Sequence, residues 1–457
     1  MAKVAKRAIA LIPVKTSLHT TGAILLATAV LIAQYAPGRV WWDAGRGGVL
    51  PWEESYDDPD GQVGILNAKG ALHTGGHPFF EPLGRNGRAC VTCHQPANAM
   101  SLGGNAIRDR WRETGGKDPV FAAVDGSNCP DLDQAEATSH SLLLERGLFR
   151  IALPWPPANR PEFRIQVVRD PTGCNTSPVY GLDAAHPRIS VFRRPRVAAN
   201  LSYLVAGPDG IVLMADGRAP SLEAQALEAA VAHEEADSAP GPDTLRRIVE
   251  FEKQIFAAQN SDIRGGLLSA ADGSVALGPN NLAASKAGGL NGEWLSFNVW
   301  KGPNVPGDVA LQRDFRASVA RGSEVFFHRR FRAGGTEPRT ATCATCHSSG
   351  SARWMDIGTA NVTQAAASPD LPLFRVICDS GRTIYTHDPG RALITGKCAD
   401  VGSIVVQQFR GLAARAPYFS NGSARTLREV VEYYDRRFAI GFTDQERNDL
   451  MNFLRVL

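Results

Sequence analysis

The chain has 457 residues with 49 basic and 46 acidic side chains, a formal net charge of +3, 44% apolar residues and 21% charged ones. That composition is globular: it excludes a collagen-like, a generally disordered and a polytopic membrane chain, and the near-balance of charge gives no electrostatic reason to expect a nucleic-acid partner. The length predicts two or three domains, and 45 glycines with 29 prolines predict a backbone rich in loops.

In chain order, Lys3, Lys6, Arg7 and Lys15 come first, ahead of an apolar run from Gly22 to Ala33, with Ala33 and Ala36 at a spacing suited to cleavage. The run is shorter than a bilayer span, so residues 1–37 are expected to be a signal peptide or an uncleaved N-terminal anchor, and the rest of the chain is expected to be exported. Residues 38–120 are rich in Gly, Pro, Asn and Asp with little periodicity, and they carry Cys90-Val91-Thr92-Cys93-His94. Short β-like runs follow at 149–153, 163–168 and 189–192, which predict a small strand-bearing insertion. Helical spacing then takes over, with Leu222, Ala226, Ala229 and His233 on one stripe and Leu245, Ile248 and Val249 starting another. The Gly/Ala/Ser-rich stretch from Asn260 to Gly289 reads as a link between two halves. Residues 307–330 are expected to be helical and lead into Cys343-Ala344-Thr345-Cys346-His347. Thr426-x-x-Glu429 and Thr443-x-x-Glu446 are capping boxes. The first opens a helix with Leu427, Val430, Val431 and Tyr434 on one face; the second opens a last helix with the stripe Leu450, Phe453, Leu454 and Leu457.

Eight cysteines are present, and four of them form two copies of C-x-x-C-H, the spacing of c-type haem attachment. Each thiol bonds one vinyl group of the macrocycle, and the adjacent histidine falls beneath the iron as proximal ligand. A four-cysteine zinc site would not call for a histidine after both pairs, and a thioredoxin-like motif needs a βαβ context that neither pair has. Two covalently bound haem c groups are therefore expected, on Cys90, Cys93 and His94 and on Cys343, Cys346 and His347. In an exported chain the other four cysteines favour disulfides, and proximity favours Cys129–Cys174 and Cys378–Cys398, with buried free thiols as the alternative.

The tail carries a resemblance. Arg415-Ala416-Pro417-Tyr418-Phe419-Ser420-Asn421-Gly422-Ser423, then Thr426-Leu427-Arg428-Glu429-Val430-Val431, resembles a signature of the bacterial diheme cytochrome c peroxidase and MauG family. Asp216-Gly217-Arg218-Ala219 followed by Leu222 and Gln225-Ala226 is similar to that family's central segment, so the resemblance covers most of residues 80–457. It implies a mainly α fold of two cytochrome c-like haem domains, at residues 38–265 with the β-containing insertion and at residues 266–457. It implies hydrogen peroxide chemistry at the N-terminal haem, with the C-terminal haem storing or relaying electrons. Gln225 matches the family's distal glutamine. The family's acidic residue about ten positions on falls in His233-Glu234-Glu235; Glu235 is favoured as the acid/base, with Glu234 and His233 as alternatives. Tyr434 aligns with the second haem's distal ligand, where classical peroxidases carry methionine and MauG-like enzymes tyrosine. An anionic phenolate favours the higher oxidation states of iron, so the resemblance is to the MauG-like subgroup.

Two departures matter. The family's inter-haem tryptophan is replaced by Ala215, preceded by Met214. Its calcium-binding asparagine is replaced by Arg193 or Arg194, and a guanidinium cannot ligate calcium, although it can pair with haem propionates. The expected function is thus that of a periplasmic diheme c-type peroxidase, an iron-dependent oxidoreductase. Its expected partners are hydrogen peroxide and either an electron-donor protein (a small cytochrome or cupredoxin) or a protein substrate. The alternatives are a conventional cytochrome c peroxidase fed by small c-type cytochromes and a non-enzymatic diheme electron-transfer cytochrome.

Overall fold

A computed structural model describes residues 41–204, 212–268, 277–284, 295–333, 339–347, 359–361 and 368–457. They belong to one compact unit that runs from Arg39 to Leu457. The signal or anchor segment at 1–37 lies outside the described residues, and among the described residues no helix is long and apolar enough to cross a membrane.

The longer strands are β1 (Glu53–Asp58), β2 (Gly61–Asn67), β3 (Phe149–Pro154), β4 (Phe163–Arg169), β5 (Arg188–Arg193), β6 (Ile255–Asp262), β7 (Leu373–Cys378) and β8 (Thr383–Thr386). The helices that matter for the sites are α1 (Cys90–Cys93), α2 (Gly104–Thr114), α3 (Leu222–Ala232), α4 (Pro242–Gln254), α5 (Ala310–His328), α6 (Cys343–His347), α7 (Leu427–Phe438) and α8 (Asp444–Arg455).

The expectation of a mainly α protein is overturned: the protein is 35% helix and 20% strand, with several antiparallel sheets. β1 and β2 form a hairpin inside the segment read as loop, and β2 also pairs with β6, nearly 200 residues later, in register Gly61↔Asp262 to Asn67↔Ile255. β4, from the expected insertion, pairs with β7 of the C-terminal half, Cys378 opposite Phe163 and Val376 opposite Ile165, and β8 completes that sheet. The strands are short, several carry Asp, Glu or Gly, and their partners are remote in sequence. Local periodicity cannot see such pairing.

The C-terminal helices form as their caps direct. Thr443 Oγ1 accepts from the Glu446 N–H while Glu446 accepts from the Thr443 N–H, a complete box at the start of α8. At α7 only half the box forms: Thr426 Oγ1 accepts from the Glu429 N–H, but the Glu429 carboxylate accepts from Arg425 N at 2.6 Å instead. α5 and α8 cross at Gly322, where an added Cβ would lie 1.9 Å from the Asp449 carbonyl oxygen, so only glycine allows that approach. Buried Asp449 accepts from Arg321 and Ser318 across the same crossing. The two largest apolar clusters among the described residues flank the two motifs. One packs Phe79, Phe80 and Phe251 beside the first C-x-x-C-H; the other packs Phe326, Phe453 and Val431 beside the second. The disulfides are Cys129–Cys174 and Cys378–Cys398, with Cα separations of 5.2 and 5.9 Å.

Candidate haem sites

The four cysteines of the two C-x-x-C-H motifs remain thiols while the other four are bridged. Among the described residues no group of three or more His, Cys, Asp or Glu gathers as for a metal ion. The two thiol pairs therefore do not converge on a four-thiolate zinc site.

At the first motif, α1 presents Cys90, Cys93 and His94 to a cavity. His94 Nδ1 lies 3.2 Å from the Met100 carbonyl oxygen. Such a bond fixes the tautomer and leaves Nε2 as the ligating nitrogen. Burial, ahead of all other causes, pulls the His94 pKa down to about 4 and pushes the Cys93 thiol up to about 12. The imidazole is thus held neutral, the form that binds a metal.

The rest of this cavity is built by α3 and the turn after it. Ser221 caps α3 by accepting from the Ala224 N–H, and Gln225 and Ala226, with Ala229 one turn further on, line the cavity. At the helix end the chain turns left-handed, with Glu235 at φ +55. That turn sends His233 and Glu234 to the cavity and Glu235 away from it, toward Arg85 at 3.4 Å. Glu235, the favoured acid/base of the sequence reading, is therefore not brought to the site, whereas its two alternatives are. The turn depends on Gly84, where an added Cβ would sit 1.8 Å from the Glu234 carbonyl oxygen.

Glu234 is 3% exposed and accepts from the Leu83 N–H at 3.1 Å. Burial pushes its pKa up to about 7, against smaller lowering effects from Leu83, Cys90 and His233. His233 Nδ1 lies 2.6 Å from Asp125 Oδ2, and the opposite oxygen of Asp125 is bound by the buried Arg88 guanidinium. Glu252 also lines the cavity, 4% exposed, and its Oε2 has no hydrogen-bond partner among the described residues. Burial and then the Glu223 charge push its pKa up to about 8. Asp125, Arg88 and Glu252 were not anticipated. Glu252 alone had a signal: with Leu245, Ile248 and Val249 it completes an i, i+3, i+4, i+7 stripe, an acid on an apolar face. Asp125 lies in a loop and had none.

The arginines divide. Arg193 donates to Asp216 at 2.5 Å and to Asp388 at 2.6 Å, all three buried, so it joins protein carboxylates rather than a ligand. Arg194 and Arg196 line the cavity and, among the described residues, donate to backbone carbonyls: Arg194 to Leu102, Arg146 and Arg415, Arg196 to Val405 and Ala215. Burial, then neighbouring arginines, pulls both down to about 9. Cations desolvated at a cavity wall and hydrogen-bonded to no carboxylate among the described residues fit an anionic group entering that cavity. Apolar walls, two thiols, a neutral imidazole and these two guanidiniums together suit haem c with its propionates. Ala215, at the position of the missing tryptophan, accepts from the Val405 N–H at 2.9 Å.

At the second motif, α6 carries Cys343, Cys346 and His347. The His347 ring packs on Phe409, ring centres 4.6 Å apart. Its Nδ1 is buried with no hydrogen-bond partner among the described residues, and burial pulls its pKa down to about 4. α7 faces this ring: Leu427, Val431, Tyr434 and Phe438 pack toward the second core, and Tyr434 Oη stands 3.5 Å from His347 Nε2. Tyr433 packs instead on Phe419. Burial raises the Tyr434 pKa, so its phenolate requires a facing cation. Two thiols, one imidazole and one phenol at this place form a donor set that would hold a haem c.

No protein-family model matches the chain, and no curated protein matches it.

Proposed function

We propose that the protein is a diheme c-type peroxidase of the MauG-like kind, in which hydrogen peroxide reacts at the haem of Cys90, Cys93 and His94 and the haem of Cys343, Cys346 and His347 shares the oxidising equivalents. The observation that carries this reading is the asymmetry of the two sites. At the second, Tyr434 Oη stands 3.5 Å from His347 Nε2. At the first, the cavity that holds His94 is lined by Gln225, His233 and Glu234, side chains suited to move protons and orient a small ligand. An open coordination position on a haem iron supplies the binding and redox chemistry for peroxide when the group is present.

The chain's own contributions follow from its residues. Gln225 offers an amide to orient a peroxide oxygen. His233 and Glu234 hold or accept protons. Arg194 and Arg196 anchor propionates, and the Phe79 and Phe251 cluster, ring centres 4.5 Å apart, excludes water behind His94. Export to the periplasm, and oxidation of a small redox protein or a protein substrate, complete the proposal.

The test is the purified full chain matured with haem. Pyridine haemochromogen spectra should count two thioether-linked haems per polypeptide, and stopped-flow mixing with hydrogen peroxide should change the Soret band within seconds. Fewer than two haems refutes the cofactor assignment. Two haems that accept neither peroxide nor cyanide leave an electron carrier.

A further inference from the structure

We propose that Asp125, clamped by Arg88, is a positioning residue that holds the His233 ring with Nε2 toward the first cavity, making His233 the proton acceptor for a peroxide ligand. The inference rests on the peroxidase reading of that cavity and adds what the sequence left open: which of His233, Glu234 and Glu235 takes the proton, and the machinery that aims it.

The geometry is continuous. Arg88 is 1% exposed and Asp125 3% exposed. The Arg88 guanidinium donates to Asp125 Oδ1, to the carbonyl oxygens of Pro119 and Val120 at 2.7 Å each, and to the His233 carbonyl oxygen at 3.2 Å. One buried cation thus grips both the carboxylate and the backbone of the histidine that the carboxylate serves. Asp125 Oδ2 lies 2.6 Å from His233 Nδ1. Burial alone would raise the Asp125 pKa, but Arg88 and His233 outweigh it and hold it below the usual carboxylate range. An ionised carboxylate at Nδ1 selects the tautomer with the proton on Nδ1 and leaves Nε2 as a base. His233 lines the cavity that holds His94.

The step balances simply. Nε2 takes the proton of one peroxide O–H bond; that bond breaks, an Nε2–H bond forms, and the electron pair stays on oxygen as the hydroperoxide anion. No electron is transferred. The imidazolium is stabilised by Asp125, whose charge Arg88 keeps in place. Glu235, paired with Arg85 outside the cavity, has no part in the step.

The experiment uses the haem-loaded chain with potassium cyanide and hydrogen peroxide as probes. Hydrogen cyanide must also lose its proton to bind, so its association rate reads the base independently of turnover. His233→Gln should slow cyanide association and the peroxide-driven Soret change by roughly a hundredfold or more, Asp125→Asn by roughly ten- to a hundredfold, and combining them should add little to the first. Asp125→Asn strands a buried guanidinium, so Arg88→Met/Asp125→Leu, which removes both charges together, gives a second reading with the same expected loss. Wild-type cyanide rates in the Asp125 variants overturn the proposal. So does a low-spin EPR signal of the first haem that turns high-spin in His233→Gln, because His233 would then be an iron ligand. If the cyanide pattern holds while peroxide never reacts, the positioning role stands and the peroxidase reading falls.

Discussion

Glu252 offers a quantitative check on the first cavity. Its carboxyl is buried at the cavity that Ile248 and Ala226 also line, with Oε2 unpartnered among the described residues. Its pKa stands at about 8 in the folded protein against an ordinary 4.5. The folded state therefore binds the proton more tightly than the unfolded chain, and stability falls as pH rises between those values. At about 1.4 kcal/mol per pH unit, the loss between pH 5 and pH 8 from this group is roughly 3 kcal/mol. Glu252→Gln keeps the shape and cannot ionise, but it leaves buried amide hydrogens unpaired, at about 1–3 kcal/mol at every pH. The variant should be less stable than wild type at pH 5 and gain on it steadily, overtaking it between about pH 6 and pH 7. Guanidinium unfolding of haem-loaded protein followed by far-UV circular dichroism at pH 5, 6.5 and 8 measures this. A wild-type-to-variant difference that stays constant across the three pH values would show that Glu252 is not held neutral in the cavity, and the account of that site would be wrong.

Three further outcomes are expected. Tyr434→Phe should alter the optical and EPR spectra of the second haem while Tyr433→Phe leaves them unchanged; identical spectra for wild type and Tyr434→Phe refute the ligand assignment. Arg193→Met removes the buried guanidinium that Asp388 and Asp216 share, although Asp216 keeps Arg218, which should cost about 3–5 kcal/mol of stability in thermal or denaturant melts; a change under 1 kcal/mol counts against the network. Gly84→Ala forces the 1.8 Å contact with the Glu234 carbonyl apart. It should therefore slow cyanide binding at the first haem by displacing the His233–Glu234 turn, at an overpacking cost of about 1–3 kcal/mol; an unperturbed rate would show that the turn does not depend on that glycine.

What could be read from the sequence was what depends on near neighbours. Cys90, Cys93 and His94 meet at one cavity because they lie within five residues of one another, and Cys343, Cys346 and His347 share one short helix for the same reason. Helices α3, α7 and α8 were legible because capping and a 3.6-residue stripe are local. Tyr434 was separable from Tyr433 because one position rotates a side chain about 100° around a helix. Both disulfide pairings were favoured by proximity, since each closes a loop of modest length. The tertiary structure alone decided the rest. β2 meets β6, and β4 meets β7, across some 200 residues, and no local pattern encodes a hydrogen-bond partner that distant; hence the mistaken mainly α expectation. The choice among His233, Glu234 and Glu235 turned on one left-handed residue and on Gly84, a contact between segments 150 residues apart. Asp125 and Arg88 acquire meaning only when burial removes water and packing brings them together with His233. Sequence names the groups able to do chemistry; the solvent-excluded geometry, set by long-range packing, determines which of them face one another.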